Sequence, residues 1–280
     1  MSASALVTGA GGFIGHHLVS YLKARGYWVR GVDLKKPEYA PSQADDFRIL
    51  DLRRREACLE ATSGMDEVYA LAADMGGMGF ISQNHATILL NNSLIDLHTL
   101  EAARDSGVKR LLYTSSACVY PEFMQASADV VPLKEADAYP AQPQDAYGWE
   151  KLITEKLCEY YASDYGMETR IVRFHNIYGP YGTYDGGREK APAAMARKVA
   201  NVKDGGEIEI WGDGEQTRSF CHVDDCVEGI YRLMRSDYGQ PLNLGTDQII
   251  TINDLARMVI RISGKQDIRL RHIPGPQGGS

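Results

Sequence analysis

The chain has 280 residues, 44% of them hydrophobic and 24% charged, with a formal net charge of −7. That length and balance suit one large core, or one domain with a lobe built onto it, and the acidic surplus argues against a nucleic-acid partner. No apolar run approaches the roughly 20 residues that span a bilayer, and the first residues lead into a strand with no leader-like segment, so no membrane and a cytoplasmic setting are expected.

Ala5-Leu6-Val7-Thr8 reads as a buried strand that runs into Thr8-Gly9-Ala10-Gly11-Gly12-Phe13-Ile14-Gly15. Apolar positions at Phe13, Ile14, Leu18, Val19 and Leu22 then predict a helix over 13–25, stopped by Gly26. Residues 28–33 read as a second strand. Strand, turn, helix and strand in this order predict a parallel sheet. Further strands are expected at 47–50, 67–71, 110–114 and 170–174, with helices over 84–106 and 146–164. Residues 121–145 hold four prolines and read as a loop. Residues 176–192, rich in Gly, Tyr and charge, read as a substrate-facing loop. A short strand at 208–211, a helix over 223–236, a strand at 241–245 that returns to the sheet and a helix over 253–263 complete the pattern.

Five cysteines (58, 118, 158, 221 and 226) are an odd number without framework spacing, which points to free thiols in a reducing compartment. Cys221, His222 and Cys226 have no second ligand pair at zinc spacing, so no metal is expected.

Gly9, Gly12 and Gly15 stand three apart. Glycine lets the backbone turn sharply and lets a pyrophosphate approach the helix N-terminus at Phe13 and Ile14, where N–H groups and the helix dipole attract anions. Asp33 lies 18 residues after Gly15, at the end of the next strand, where its carboxylate can accept from both ribose hydroxyls. It would repel a 2′-phosphate, so NAD is favoured over NADP. Asp51 and Leu52, after the third strand, are candidates for the adenine edge, although Asp51 also suits a helix cap.

Tyr147 and Lys151 lie one helical turn apart on one face. A free tyrosine, near pKa 10, is a poor base at neutral pH, and a neighbouring ammonium is expected to lower it. Such a pair can take a proton from a sugar hydroxyl while hydride leaves the same carbon, and Lys151 can also hold the nicotinamide ribose. Ser116, at the carboxyl end of the 110–114 strand, could hydrogen-bond the same hydroxyl.

These motifs resemble the extended short-chain dehydrogenase/reductase superfamily of nucleotide-sugar enzymes. More narrowly, four blocks are similar to the GDP-mannose 3,5-epimerase family: residues 73–80, 116–123, 143–148 and 186–192. The resemblance runs from the first strand to Ile273-Pro274-Gly275-Pro276. It implies an α/β, Rossmann-type doubly wound parallel sheet with a smaller interleaved C-terminal lobe. The NAD-binding domain would take residues 1–175, with 221–245 returning to it, and the nucleotide-sugar lobe residues 176–220 and 246–280. That family continues into an arginine-bearing segment that contacts the diphosphate, so the lobe is expected to be truncated at its C-terminus.

The resemblance also implies roles. Tyr147 would start oxidation at C4 of GDP-mannose, and the ketone would acidify the hydrogens on C3 and C5. Cys118 and Lys190 would then serve as base and acid on opposite ring faces. For this the thiol must fall from roughly 8.5 toward neutrality, and the amine must be lowered by burial or a nearby cation such as Arg188. Gly76, Ser116, Ala117, Asn176, Glu189, Ala191, Lys198, Gln216 and Arg218 would face the substrate, with Arg188, Lys198 and Arg218 as available cations. A homodimer through helices 84–106 and 146–164 is implied as well. The alternatives are a nucleotide-sugar 4-epimerase, a 4,6-dehydratase or an NAD-binding redox sensor. A 4-epimerase leaves Lys190 without a task, a dehydratase would be expected to carry an acid in place of Cys118, and a sensor commonly lacks the Tyr–Lys pair.

Overall fold

The computed structural model describes residues 3–75, 83–125, 132–187 and 189–275. Seven parallel strands form the central sheet: β1 (Ser4–Thr8), β2 (Trp28–Asp33), β3 (Asp46–Ile49), β4 (Glu67–Ala70), β5 (Arg110–Ser116), β6 (Glu168–Phe174) and β11 (Pro241–Leu244). They lie in the order β11-β6-β5-β4-β1-β2-β3. The strand order reverses between β1 and β4, and the crevice above their carboxyl ends is where open α/β sheets take ligands. Pro241 has no N–H for a ladder, and β11 occupies an edge, where that loss is tolerated. The expected return strand therefore borders the sheet.

Helices cover both faces. On one lie α1 (Phe13–Ala24) and α6 (Val223–Arg235), packed through Leu18, Val19, Leu22, Ile230 and Met234. On the other lie α2 (Arg55–Thr62), α3 (His85–Asp105) and α4 (Ala146–Tyr165), packed through Leu100, Ala103, Cys158 and Ile171. Strands buried on both faces read as near-continuous apolar runs, as Ala5-Leu6-Val7 does.

A third apolar cluster joins Met195 and Val199 of α5 (Ala191–Asn201) to β8 (Glu207–Trp211) and α7 (Ile252–Ser263). Small two-stranded sheets complete this part: β7 (Ile177–Tyr178) with β10 (Cys221–His222), β9 (Thr217–Ser219) with β12 (Ile249–Thr251), and β8 with β13 (Arg269–Ile273). The sequence reading missed α2, α5 and the short strands β7, β9, β10, β12 and β13. Pro192 lies in the first turn of α5, where a missing N–H has no cost, and it was the available signal. The loop expected to reach residue 192 thus ends at Lys190, which caps α5.

One buried ion pair fixes α4 on the sheet. Arg173 of β6 forms a fork on Glu155 of α4, at 2.7 and 2.9 Å, with both side chains 1% exposed. Ser115 donates to the same carboxylate, and Arg173 also donates to the Glu135 carbonyl. Arg173→Leu leaves a buried carboxylate unpaired and is expected to cost about 3–5 kcal/mol, read as a fall in the urea midpoint. Arg173→Leu/Glu155→Leu is expected to recover most of that loss.

Candidate active site

The glycine turn closes backbone on backbone. Gly9 has φ +70°, and a Cβ on Gly15 would lie 2.1 Å from the Gly9 carbonyl oxygen. A Cβ on Gly11 would lie 2.1 Å from the Lys35 carbonyl oxygen, so this third position is as constrained as the two around it. Gly12 caps α1 without a side-chain hydrogen bond, and the first turn carries no acid. No side chain of the cap or first turn thus competes for an anion at this N-terminus. Asp33 ends β2, accepting from the Gly11 N–H at 3.0 Å and the Lys35 N–H at 3.1 Å. These features fit a dinucleotide pyrophosphate and ribose.

A cavity of about 50 Å³ opens beside the turn, walled by Gly11, Gly12, Phe13, His16, Tyr39 and Tyr181. Tyr181 stacks with Tyr39 at 6.2 Å between ring centroids and meets His16 edge-on at 5.3 Å. Sequence reasoning missed His16, Tyr39 and Tyr181, whose meeting depends on contacts across more than half the chain. Leu52 is buried. Asp51 is held by the Arg53 guanidinium at 2.7 Å, which keeps its carboxyl below the usual range. It also accepts from the Arg53 N–H, closing a turn ahead of α2 rather than capping the helix.

Tyr147 and Lys151 face the crevice from the first turns of α4, which is capped by Asp145. Lys151 is 2% exposed, and its Nζ lies 5.6 Å from the Tyr147 ring centroid. The Tyr147 ring packs with Ile88 and Cys118, and its hydroxyl meets the Met75 sulfur at 3.8 Å. Burial pushes the Tyr147 hydroxyl well above its ordinary value, and Lys151 opposes this without prevailing. The expected lowering is thus corrected for the protein alone, because desolvation of the phenolate exceeds the attraction of one ammonium.

Ser116, the last residue of β5, accepts from the Cys118 N–H at 3.2 Å and so caps the turn Ala117–Val119. Burial raises the Cys118 thiol, while the Ser116 hydroxyl and the Lys190 ammonium pull it down. The expected fall toward neutrality is therefore also corrected: desolvation wins. Burial lowers Lys190, as expected, with the Cys118 and Cys226 thiols acting the other way. Cys118 comes from the sheet and Lys190 from the start of α5, yet each lies in the field of the other.

The remaining candidates are spread around this centre. Asn176 donates to the Ser219 carbonyl at 3.2 Å, and Ala191 opens α5. Glu189 pairs with Arg197 at 2.8 Å, leaving its second carboxylate oxygen buried without a partner. Lys198 donates to the Glu209 carbonyl at 2.6 Å and lies 5.8 Å from the Trp211 ring centroid, and Gln216 donates to the Trp211 carbonyl. Arg218 is exposed on β9 and, among the described residues, pairs with neither Asp224 nor Asp225. Gly76 and Arg188 lie outside the described residues.

Gly148 was not singled out beforehand. A Cβ there would lie 2.2 Å from the Cys118 carbonyl oxygen and 2.9 Å from Pro143 Cβ. This glycine lets α4 approach the Cys118 turn, so Gly148→Ala should part Tyr147 from Cys118. Turnover is expected to fall about 10²-fold with a normal circular dichroism spectrum, since misplacement near 1 Å costs that much.

The NAD dependent epimerase/dehydratase family matches residues 5–245, and the chain belongs to it, with NAD as cofactor. The GDP-mannose 3,5-epimerase of Arabidopsis thaliana is 53% identical over 274 residues, covering 97% of this chain and 72% of that one. Among solved structures, the UDP-glucose 4-epimerase of Thermotoga maritima with UDP-glucose has 27% identity and a TM-score of 0.85, covering 98% of this chain and 87% of that one. The Thermus thermophilus UDP-glucose 4-epimerase complex with NAD has 26% identity and a TM-score of 0.82, covering 99% and 88%. The fold is α/β, with the parallel sheet of these enzymes.

Proposed function

We propose that the protein is a GDP-mannose 3,5-epimerase that works through a transient C4 ketone. The observation that supports this reading is that Cys118 packs against Tyr147 and lies in the field of Lys190, a thiol and an amine from two parts of the chain. A 4-epimerase has no need of that second acid/base pair. The 53% identity to the Arabidopsis enzyme supports the substrate.

NAD, held by the Gly9–Gly15 turn, Asp33 and Lys151, supplies a hydride acceptor that is restored at the end of each cycle. Tyr147 takes the proton of the C4 hydroxyl, with Ser116 orienting that oxygen. The ketone makes the C3 and C5 hydrogens acidic. Cys118 and Lys190 remove and return those protons from opposite ring faces. Each must give as well as take, and burial shifts the two in opposite directions, the thiol up and the ammonium down.

The lobe formed by residues 176–220 and 246–280 takes the nucleotide sugar in this reading. Asn176, Glu189, Lys198, Gln216 and Arg218 line it, with Gly76, Ala117 and Ala191 against the sugar. Leu90 and Leu97 on α3, with Trp149, Ile153 and Tyr160 on α4, form exposed apolar faces on adjacent helices. These support a homodimer, which sedimentation tests. No helix among the described residues is long and apolar enough to cross a membrane. Five free thiols fit a reducing compartment, and we place the enzyme in the cytoplasm. The test is mass and NMR analysis of products: GDP-mannose should give GDP-L-galactose and GDP-L-gulose. Recovery of only a C4 epimer or a dehydrated sugar would reject the reading.

A further inference from the structure

Behind Lys151 lies a group of acids that the proposed reaction does not use. Asp96 projects from α3, 3% exposed, and accepts from Lys151 Nζ at 3.4 Å and from the Tyr113 hydroxyl at 2.8 Å. Glu150, 1% exposed, places its Oε2 3.8 Å from the same Nζ. Its Oε1 accepts from Tyr113 and Thr154, both at 3.3 Å, while Oε2 is buried without a hydrogen-bond partner. Lys151 also lies 4.8 Å from the Tyr113 ring centroid.

Three ionisable side chains thus share a space closed to water, one potential cation among two potential anions. Burial, with Asp96 adding to it, raises Glu150 far above the carboxylate range, and the Lys151 ammonium opposes this.

We propose that Asp96 and Glu150 are positioning residues: from behind Lys151 they hold its ammonium in place and limit how much of its charge reaches the Tyr147 hydroxyl. The inference rests on Tyr147 being the base and Lys151 its activator. Burial alone would pull the ammonium toward neutrality, and Asp96 with Glu150 reverses this, so Lys151 stays charged through the cycle. The same two carboxyls oppose ionisation of Tyr147. Among the described residues, the other titratable groups facing this pair include Tyr113 on β5, Cys118 after it, and Cys158 on α4. Burial raises both thiols.

The test uses the NAD-loaded protein carrying carbon-13 at the oxygen-bearing ring carbon of tyrosine. The Tyr147 resonance is the one lost in Tyr147→Phe. Glu150→Gln and Asp96→Asn each take one carboxyl from behind Lys151 and should each lower the Tyr147 ionisation midpoint. Asp96→Asn/Glu150→Gln should lower it furthest, by about one pH unit or more, the scale of one nearby charge. A purely structural role would not move the midpoint. The inference is overturned by a double variant that matches the parent. If the double variant does not fold, an unmoved midpoint in Asp96→Asn overturns it. The readout needs no sugar, so it fails separately from the product analysis.

Discussion

Tyr147→Phe is expected to lower turnover by about 10²–10⁴-fold, the range for loss of a positioned general base. The ring of Tyr147 packs on Ile88 and Cys118, and phenylalanine keeps those contacts. Among the described residues the hydroxyl's hydrogen-bond partner is the Met75 sulfur, at 3.8 Å, so little stability should be lost. NAD should still bind, because Lys151 and the glycine turn are untouched. The check is single-turnover formation of NADH with GDP-mannose, alongside NAD affinity. A variant with full hydride transfer would show that another group takes the C4 proton.

The second large effect concerns Cys118 and Lys190. Cys118→Ala and Lys190→Ala should each lower epimerisation by at least about 10²-fold, yet leave part of the C4 oxidation. The two steps use different groups: the hydride step needs Tyr147 and Lys151, while C3 and C5 need the thiol and the amine. Bound NADH should therefore form on mixing with substrate and decay without a new epimer. Lys190 caps α5 without a side-chain hydrogen bond, so its truncation should leave the helix in place. If either variant epimerised normally at C5, the two-face arrangement would fail.

Much of this fold was legible because its signals are local. The Gly9–Gly15 turn, the periodicity of α1 and the apolar strands before them each occupy a few adjacent residues. Tyr147 and Lys151 were legible for the same reason, being one turn apart on one helix. What escaped depends on distance in space. Asp96 lies on the same face of α3 as Asn92 and Thr99, all three buried. A polar stripe of that kind reads as solvent-facing in sequence, and only the packing of α3 on α4 turns it toward Lys151. His16, Tyr39 and Tyr181 meet across the cofactor turn from three separate segments. Gly148 looked like part of a motif, and its reason is the Cys118 carbonyl 2.2 Å from where a Cβ would stand. The directions of the Tyr147 and Cys118 shifts were misjudged because the sequence displays the helpful cation and conceals the burial that outweighs it.

The central claim is that a ketone at C4 makes both neighbouring carbons exchange protons with the side chains of Cys118 and Lys190. Incubation of the NAD-loaded enzyme with GDP-mannose in deuterated water, followed by NMR of the recovered sugar, measures this directly. The account predicts deuterium at C3 and C5 and retained hydrogen at C4. Exchange at neither C3 nor C5, with NAD shown to be bound and NADH shown to form, would contradict it.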